Sequence, residues 1–213
     1  MRRLVDIIVA GAAAVLLAPV ALLVAVLVRS QLGSPVLFRQ NRSGLRGREF
    51  KILKFRTMRP AQHEGEADLD RDTPLGRRLR AASLDELPQL VNVLRGDMSL
   101  IGPRPTLPEQ VVHYDARQRE RLSVRPGITG WAQVNGRNSI SWPERIELDL
   151  WYIAHRSLWI DFKVLWLTGL NVIRPRGIMG AEGVNEGFPL PDGGTTASHA
   201  ASSAIAGHQR ERE

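Results

Sequence analysis

The 213-residue chain contains no cysteine, which excludes disulfide bonds and thiolate metal sites. It also lacks the glycine-rich phosphate loop ending in Gly-Lys-Ser/Thr, the Gly-x-Gly-x-x-Gly dinucleotide fingerprint and the His-Glu-x-x-His zinc motif. Any phosphate or nucleotide chemistry in this chain therefore has to use a different set of residues.

Lysine is scarce as well, since only Lys51, Lys54 and Lys163 occur among 29 basic residues, and the net charge is +7. The arginine excess has two explanations at this point: the coding bias of a GC-rich genome, or a surface that faces phosphate groups. The second fits the guanidinium fork, which matches phosphate oxygens with two parallel hydrogen bonds. Anionic lipid, a nucleotide and nucleic acid are all compatible with this charge.

The longest apolar run covers Ile7–Val28, which is 22 residues without a charged side chain. A helix of that length reaches about 33 Å, enough for a bilayer core of roughly 30 Å. A signal peptide is the alternative, but the run is longer than the usual apolar region of such a peptide and no small-residue cleavage site follows. A membrane segment is the better interpretation.

Pro19 lies near the middle of this run and predicts a bend, because proline removes a helical hydrogen bond. Arginines flank both ends of the run, and the rule that positive charge stays inside favours both ends on the cytoplasmic side. A re-entrant helix keeps both charged ends on the cytoplasmic side, and it does not require either of its short halves to cross the bilayer. A single spanning helix stays open on these arguments.

The remaining pattern predicts short elements. Val36–Arg39 and Glu49–Thr57 read as two strands of a β-hairpin, Leu75–Ala82 and Pro88–Leu94 as short helices, and Leu107–Leu122 as an amphipathic helix. A further helical pattern covers residues 142–173, where tryptophans favour the membrane interface over simple core packing. Beyond residue 191 the composition predicts a disordered tail.

Two adjacent carboxylates, Asp85 and Glu86, precede the helix that Pro88 opens. A helix N-terminus favours an ionised carboxylate, and an ionised carboxylate is the nucleophile in enzymes that form aspartyl phosphates. The alternative is a capping box, in which Ser83 and Glu86 close the first turn of the helix. The two interpretations are compatible.

Several cations accompany these carboxylates in sequence, and they are Lys54, Arg56, Arg80, Arg95 and Arg104. An acidic nucleophile beside an anionic substrate needs such charges, together with a divalent metal ion, to offset repulsion. Asp85 is the natural ligand for Mg²⁺, which usually takes one or two carboxylates plus substrate phosphate oxygens.

Four blocks of residues resemble one known family, the bacterial sugar transferases, also called monotopic polyprenyl-phosphate phosphoglycosyl transferases. The blocks are Ser34–Asn41 with Phe50–Met58, Ser83–Pro105, Arg125–Asn138 and Trp151–Lys163. The resemblance covers roughly residues 1–191. It implies that the chain is the minimal catalytic form of the family, without the additional N-terminal helices of larger relatives.

The resemblance implies an α+β, mainly helical fold with a re-entrant membrane helix, a small β-hairpin and interfacial amphipathic helices. Residues 1–30 would form the re-entrant helix, residues 31–191 a membrane-associated catalytic domain on the cytoplasmic face of the bacterial inner membrane, and residues 192–213 a disordered tail. In the family the bend falls at a Ser-Pro pair, so here Pro19 matches while Ala18 replaces the serine.

The resemblance also implies the reaction. The family's catalytic Asp-Glu pair falls on Asp85 and Glu86, and the phosphate-contacting arginine of its Pro-Arg-Pro motif falls on Arg104. With Mg²⁺, the aspartate attacks the sugar-bearing phosphate of a UDP-sugar and expels UMP. Polyprenyl (undecaprenyl) phosphate then attacks the phosphosugar–Asp intermediate. This is the first membrane step in assembling an exopolysaccharide, O-antigen or glycoprotein glycan.

Arg80, Lys54 and Arg56 are expected to bind substrate phosphates beside Arg104. The expected partners are a UDP-sugar, polyprenyl phosphate and membrane lipids, and a homo-oligomer stays open. Nucleic acid is not expected, because the aromatic residues lie in apolar helical surroundings rather than along a basic stripe. A scaffold with a decayed site would not be expected to keep all of the catalytic residues. The sequence does not identify the sugar or the pathway.

Overall fold

The computed structural model describes residues 2–60, 63, 66, 70–136 and 140–173, so the predicted tail at 192–213 lies outside the described residues. The helices within this part are α1 Arg2–Leu16, α2 Ala18–Leu32, α3 Pro74–Ala81, α4 Gln89–Arg95, α5 Pro108–Val112, α6 Trp131–Val134, α7 Trp142–His155 and α8 Leu158–Ile173. The strands are β1 Leu37–Ser43, β2 Glu49–Phe55, β3 Ser99–Ile101 and β4 Gly127–Thr129. The described part is mainly helical, as expected.

The N-terminal helices α1 and α2 form a pair bent by 60°. The break lies at Leu17, two residues before Pro19, which occupies the first turn of α2. Proline is tolerated there because the first turn leaves its N–H groups unpaired, but it cannot donate to the carbonyl of the preceding helix. Within the described residues no helix alone has the length and hydropathy to cross a bilayer, whereas this bent pair meets those criteria jointly.

Each half of the bent pair packs one side against the rest of the molecule. The cluster around α1 contains Ala10, Ile52, Val93 and Met98, and the cluster around α2 contains Val24, Val28, Phe55 and Leu79. The opposite sides of both helices are exposed and apolar. Burial therefore orients the bent pair on the rest of the molecule and leaves large apolar side chains exposed on its outer side.

The predicted hairpin is confirmed. Strands β1 and β2 pair antiparallel from Leu37–Phe55 to Ser43–Glu49, so the first strand is longer than predicted. The connection is a single 3₁₀ turn in which Arg46 takes a left-handed conformation (φ 56°). The short parallel pair of β3 and β4 was not predicted. At this pair Gly127 lies so close to the backbone nitrogen of Gly102 that there is no room for a Cβ atom.

The two short helices before and after the carboxylates are confirmed within one residue. Thr73 caps α3 by accepting a hydrogen bond from the N–H of Gly76, and Gly96 ends α4 in a left-handed conformation (φ 94°). These signals are local to the sequence, which is why they predict the boundaries well.

The single amphipathic helix predicted over Leu107–Leu122 is wrong. The chain forms α5, leaves the helix after Val112, and resumes as a 3₁₀ segment at Gln118–Ser123. The carboxylate of Asp115 accepts a hydrogen bond from the N–H of Gln118 at 2.7 Å, and such a side chain offers the backbone an alternative to the helix. The long helical pattern over residues 142–173 likewise divides, and the hydroxyl of Ser157 caps the start of α8.

Candidate active site

Asp85 and Glu86 lie in a single 3₁₀ turn, Leu84–Glu86, between α3 and α4. Ser83, which precedes the turn, has a left-handed conformation (φ 56°) and makes no capping hydrogen bond through its side chain. The predicted capping box of Ser83 and Glu86 is therefore wrong. The physical reason is that the Glu86 carboxylate bonds to cations from elsewhere in the fold instead of returning to its own backbone.

Glu86 is held by two cations. Lys54 on β2 donates a hydrogen bond to its Oε1 atom at 2.8 Å, and Arg104 donates to the same atom at 3.0 Å. Burial alone would raise the pKa of Glu86, but the charges and hydrogen bonds of Arg104 and Lys54 outweigh it and lower the pKa to about 2. Glu86 is thus a fixed anion that gathers positive charge next to Asp85.

Asp85 has the opposite environment. Its side chain is 6% exposed, and no side chain in the described part of the chain is hydrogen-bonded to its carboxylate. Burial and the neighbouring charge of Glu86 raise the pKa of Asp85, and the charges of Lys54 and Arg104 offset this only in part. A poorly solvated carboxylate that no side chain holds by a hydrogen bond is more available to react than one that is paired with a cation.

The two carboxylates line a pocket of about 300 Å³. It brings together Lys54, Arg80, Asp85, Glu86 and Arg104, all of which the sequence had suggested for the site. The guanidinium of Arg80 donates to Thr57 Oγ1 at 3.0 Å and also binds the carboxylate of Asp72. Burial would raise the pKa of Asp72, but the hydrogen bond and charge of Arg80 keep it below its usual range.

Arg56 does not join this group. It lies outside the pocket lining, and its guanidinium donates to the backbone carbonyl of Ser34 at 3.1 Å and to that of Leu32. Leu32 is the last residue of α2 and Ser34 follows it. A cation at the C-terminal end of a helix interacts favourably with the helix dipole. The structure therefore places Arg56 at the end of the bent helix pair.

The pocket also contains residues that the sequence analysis did not single out. Arg145 on α7 is one of them, and burial together with the nearby charge of Arg104 lowers its pKa. Two cations that repel each other beside one cavity favour a multiply charged anion there. Arg145 lies between two of the blocks that resemble the family, so no local motif marked it.

The remaining pocket walls come from distant elements. Ala13 and Leu17 at the end of α1 form part of the wall, and Gln133 on α6 and Thr168 on α8 form another part. The break in the N-terminal helix pair therefore adjoins the space that contains Asp85. Gln133 falls within the Arg125–Asn138 block, although the resemblance gave it no role.

A buried ion pair supports the Arg104 segment from behind. Arg121 and Asp149 are 2% and 1% exposed, and the Nη2 atom of Arg121 lies 2.7 Å from the Asp149 carboxylate. The same guanidinium group also donates to the backbone carbonyl of Arg104 at 3.3 Å and to the hydroxyl of Tyr114. This pair fixes the backbone from which Arg104 reaches Glu86, and the sequence offered no signal for it.

The donor set bears on the expected metal ion. Across the described ranges, no three His, Asp or Glu side chains cluster in a way that could hold a metal ion by themselves. Mg²⁺ does not require such a cluster, because it commonly uses one or two carboxylates and completes its shell with water and phosphate oxygens. Asp85 is a carboxylate without a cationic hydrogen-bond partner in the pocket, and it fits this use better than Glu86 does.

Comparison of the sequence with known proteins identifies one family and several relatives that resemble this chain. The model of the family described as bacterial sugar transferase matches residues 1–175. An uncharacterized sugar transferase, EpsL, of Bacillus subtilis is 50% identical over 71% of this chain and 76% of its own length. A UDP-glucose:undecaprenyl-phosphate glucose-1-phosphate transferase of Caulobacter vibrioides is 46% identical over 78% of this chain and 67% of its own.

A protein of the same name from Xanthomonas campestris is 43% identical over 81% of this chain. The matched region is only 38% of that relative's length. The similarity to this larger protein therefore concerns only one part of it.

Proposed function

The chain belongs to the bacterial sugar transferase family, and on that premise we propose that it transfers a sugar-1-phosphate from a UDP-sugar to polyprenyl (undecaprenyl) phosphate. The products are polyprenyl diphosphate sugar and UMP. The observation that carries the proposal is the pocket in which Asp85, without a cationic hydrogen-bond partner, lies beside a Glu86 held by Lys54 and Arg104. The chain is accordingly a sugar-phosphate transferase, and UDP-glucose is the first donor to test because two relatives carry it in their names.

The proposed reaction has two steps at one phosphorus atom. A carboxylate oxygen of Asp85 attacks the phosphorus that bears the sugar, and the bond from that phosphorus to the bridging oxygen breaks, so that UMP leaves with the electron pair. A phosphate oxygen of the polyprenyl phosphate then attacks the same phosphorus and releases the Asp85 carboxylate. The acceptor is already an anion at neutral pH, so it requires positioning more than a strong base.

The cations of the pocket have a definite task in this proposal. Lys54 and Arg104 are held in place by Glu86, and Arg80 and Arg145 lie along the same cavity. Such preorganised charges stabilise the diphosphate and the charge on the departing UMP without reorganising during the reaction. Glu86 in this scheme is a positioning residue rather than a second nucleophile.

We propose that the reaction requires Mg²⁺ and that Asp85 is its protein ligand. The carboxylate of Asp85 would hold the ion together with phosphate oxygens of the substrate. When bound, the ion would neutralise charge on the phosphates.

We also propose that α1 and α2 form a re-entrant membrane helix. Both ends of the pair are tied to the same catalytic part: Arg3 donates to the carbonyls of Val93 at 2.6 Å and Leu94 at 3.0 Å, and Arg56 binds the end of α2. A single spanning helix would separate these two ends by the bilayer. The bend of 60° and the exposed apolar side of the pair support the same topology.

Helix α8 also has apolar side chains on its surface. Its exposed side chains include Leu158, Trp159, Phe162 and Trp166, which are between 58% and 72% exposed. Tryptophan is favoured at membrane interfaces, and so many large apolar side chains exposed on one helix are otherwise unusual on a soluble protein. We place the catalytic part on the cytoplasmic face of the bacterial inner membrane, where UDP-sugars are available.

The deciding experiment uses the purified full-length protein in detergent with a panel of UDP-sugars and Mg²⁺. Without lipid acceptor, we expect up to one equivalent of UMP and an added phosphosugar in the intact mass, located on the peptide that contains Asp85. Adding polyprenyl phosphate should discharge the adduct and start turnover. If UMP appears only when the acceptor is present and no adduct forms, direct transfer replaces the covalent route.

A further inference from the structure

We propose that Gln133, together with Thr129 and Thr168, forms a neutral polar subsite that binds hydroxyl groups of the transferred sugar and contributes to the choice of donor. The inference rests on the proposed function and deepens it. All three residues line the pocket that contains Asp85, although they come from α6, β4 and α8. None of them carries charge, in contrast to the residues around Glu86.

The amide of Gln133 is the main observation. Both its nitrogen and its carbonyl oxygen are shielded from solvent, and neither has a hydrogen-bond partner among the described residues. A buried amide without partners costs free energy, because the lost bonds to water are not replaced. A ligand that offers both a donor and an acceptor in the pocket would remove this cost, and a sugar hydroxyl offers both.

The two threonines provide a hydroxyl oxygen that can accept a hydrogen bond from a ligand. The hydroxyl of Thr168 donates to the carbonyl of Val164 at 2.7 Å, and the hydroxyl oxygens of Thr129 and Thr168 lie 2.7 Å apart. Because the proton of Thr168 is used, Thr129 is the donor in the second bond. Thr129 therefore keeps lone pairs that can accept a hydrogen bond from a ligand hydroxyl.

The position of the subsite favours the sugar over the uracil. In the proposed intermediate the sugar stays attached to the phosphorus on Asp85, so it has to occupy the pocket that contains Asp85, whereas the nucleotide leaves. The described pocket residues also include no aromatic ring on which a base would stack. Lys54 and Arg104 bind Glu86 and suit phosphates, which leaves the neutral group for hydroxyls.

The test compares wild type with Gln133→Met, which keeps a similar length but has no hydrogen-bonding group. Rates of UMP release are measured with UDP-glucose and with UDP-galactose, UDP-N-acetylglucosamine and UDP-xylose, each of which differs from UDP-glucose at one ring position. We expect kcat/KM for the best donor to fall about tenfold, as for one or two neutral hydrogen bonds. For a poorer donor that differs from the best one by a single hydroxyl, kcat/KM should change little. The ratio of the two kcat/KM values, which measures the donor preference, should therefore become smaller.

The variant Asn135→Ala serves as a matched control, because Asn135 follows α6 but is exposed, and among the described residues it bonds to the carbonyl of Trp131 alone. It should leave the donor preference unchanged. If Gln133→Met fails to fold, as judged by its thermal midpoint, Thr129→Val examines the same subsite and should narrow the same preference.

Several results would overturn the inference. An equal loss for every UDP-sugar, accompanied by weaker inhibition by UMP, would place the amide at the uracil. An unchanged preference in both variants would mean that the group has no part in donor choice. If the wild type releases no UMP from any UDP-sugar, the proposed function itself fails, which is distinct from an active enzyme with unaltered preference.

Discussion

Lys54 and Arg104 donate hydrogen bonds to the same carboxylate oxygen of Glu86, at 2.8 and 3.0 Å. Lys54 comes from the β-hairpin and Arg104 from the loop after β3, so Glu86 is the group that brings these cations together. The arrangement keeps positive charge beside Asp85 before any substrate is present.

Replacing the anion should therefore disturb the cations. We expect Glu86→Gln to lower kcat for UMP release by up to about 100-fold, because misplacing a charged group by an ångström can cost that much. Glu147→Gln is the control, since Glu147 is an exposed carboxylate that pairs with Arg117 on the surface. Equal rates for the two variants would show that Glu86 does not position the site.

The nucleophile is tested by Asp85→Asn. Asparagine keeps the shape of the side chain but removes the anion, so turnover should fall by at least about 1,000-fold and the phosphosugar adduct should be absent from the intact mass. Asp115→Asn, at an exposed carboxylate that does not line the pocket, should behave as wild type. A variant at position 85 with a tenth of normal activity would remove Asp85 from this role.

The activity should depend on added Mg²⁺, because the pocket offers few protein ligands and would hold the ion only weakly. Excess chelator should abolish UMP release, and Mg²⁺ should restore it, because one carboxylate with substrate phosphates makes a weak and reversible site. The thermal midpoint of the substrate-free protein should hardly change on chelation. Full activity in excess chelator would exclude Mg²⁺ from the proposed mechanism.

Membrane topology can be tested directly because the chain has no cysteine of its own. Single cysteines in the variants Arg2→Cys and Asp115→Cys should both resist an impermeant thiol reagent outside intact cells and react after permeabilisation. Labelling of Arg2→Cys alone from outside would establish a spanning helix. Adding Pro19→Leu to Arg2→Cys should straighten the segment and increase outside labelling.

The buried pair of Arg121 and Asp149 should matter for stability. Asp149→Ala leaves an unpaired buried guanidinium, which should lower the free energy of unfolding by about 3–5 kcal/mol. The exposed pair of Arg117 and Glu147 offers a control, and Glu147→Ala should cost less than about 1 kcal/mol. Denaturation in detergent measures both, and similar small effects would contradict the structural role of the buried pair.

Local signals in the sequence account for much of the fold. The hairpin follows from alternation and turn residues, and α3 and α4 follow from Thr73, Pro88 and Gly96. The adjacency of Asp85 and Glu86 and the bend before Pro19 are also local properties. The long amphipathic pattern was misleading over residues 107–122, because hydrophobic periodicity does not register a side chain such as Asp115 that interrupts the helix.

By itself, the sequence determined which residues carry charge near the candidate nucleophile, where the apolar segment bends and which family the chain resembles. Only the tertiary structure decided how those charges are used. In the structure Lys54 and Arg104 both bind Glu86. Arg56 lies at the end of α2 instead of in the pocket, whereas Arg145 and Gln133 line the pocket. The physical reason is that hydrogen bonding and burial depend on which distant elements pack together, and no spacing along the chain encodes those distances.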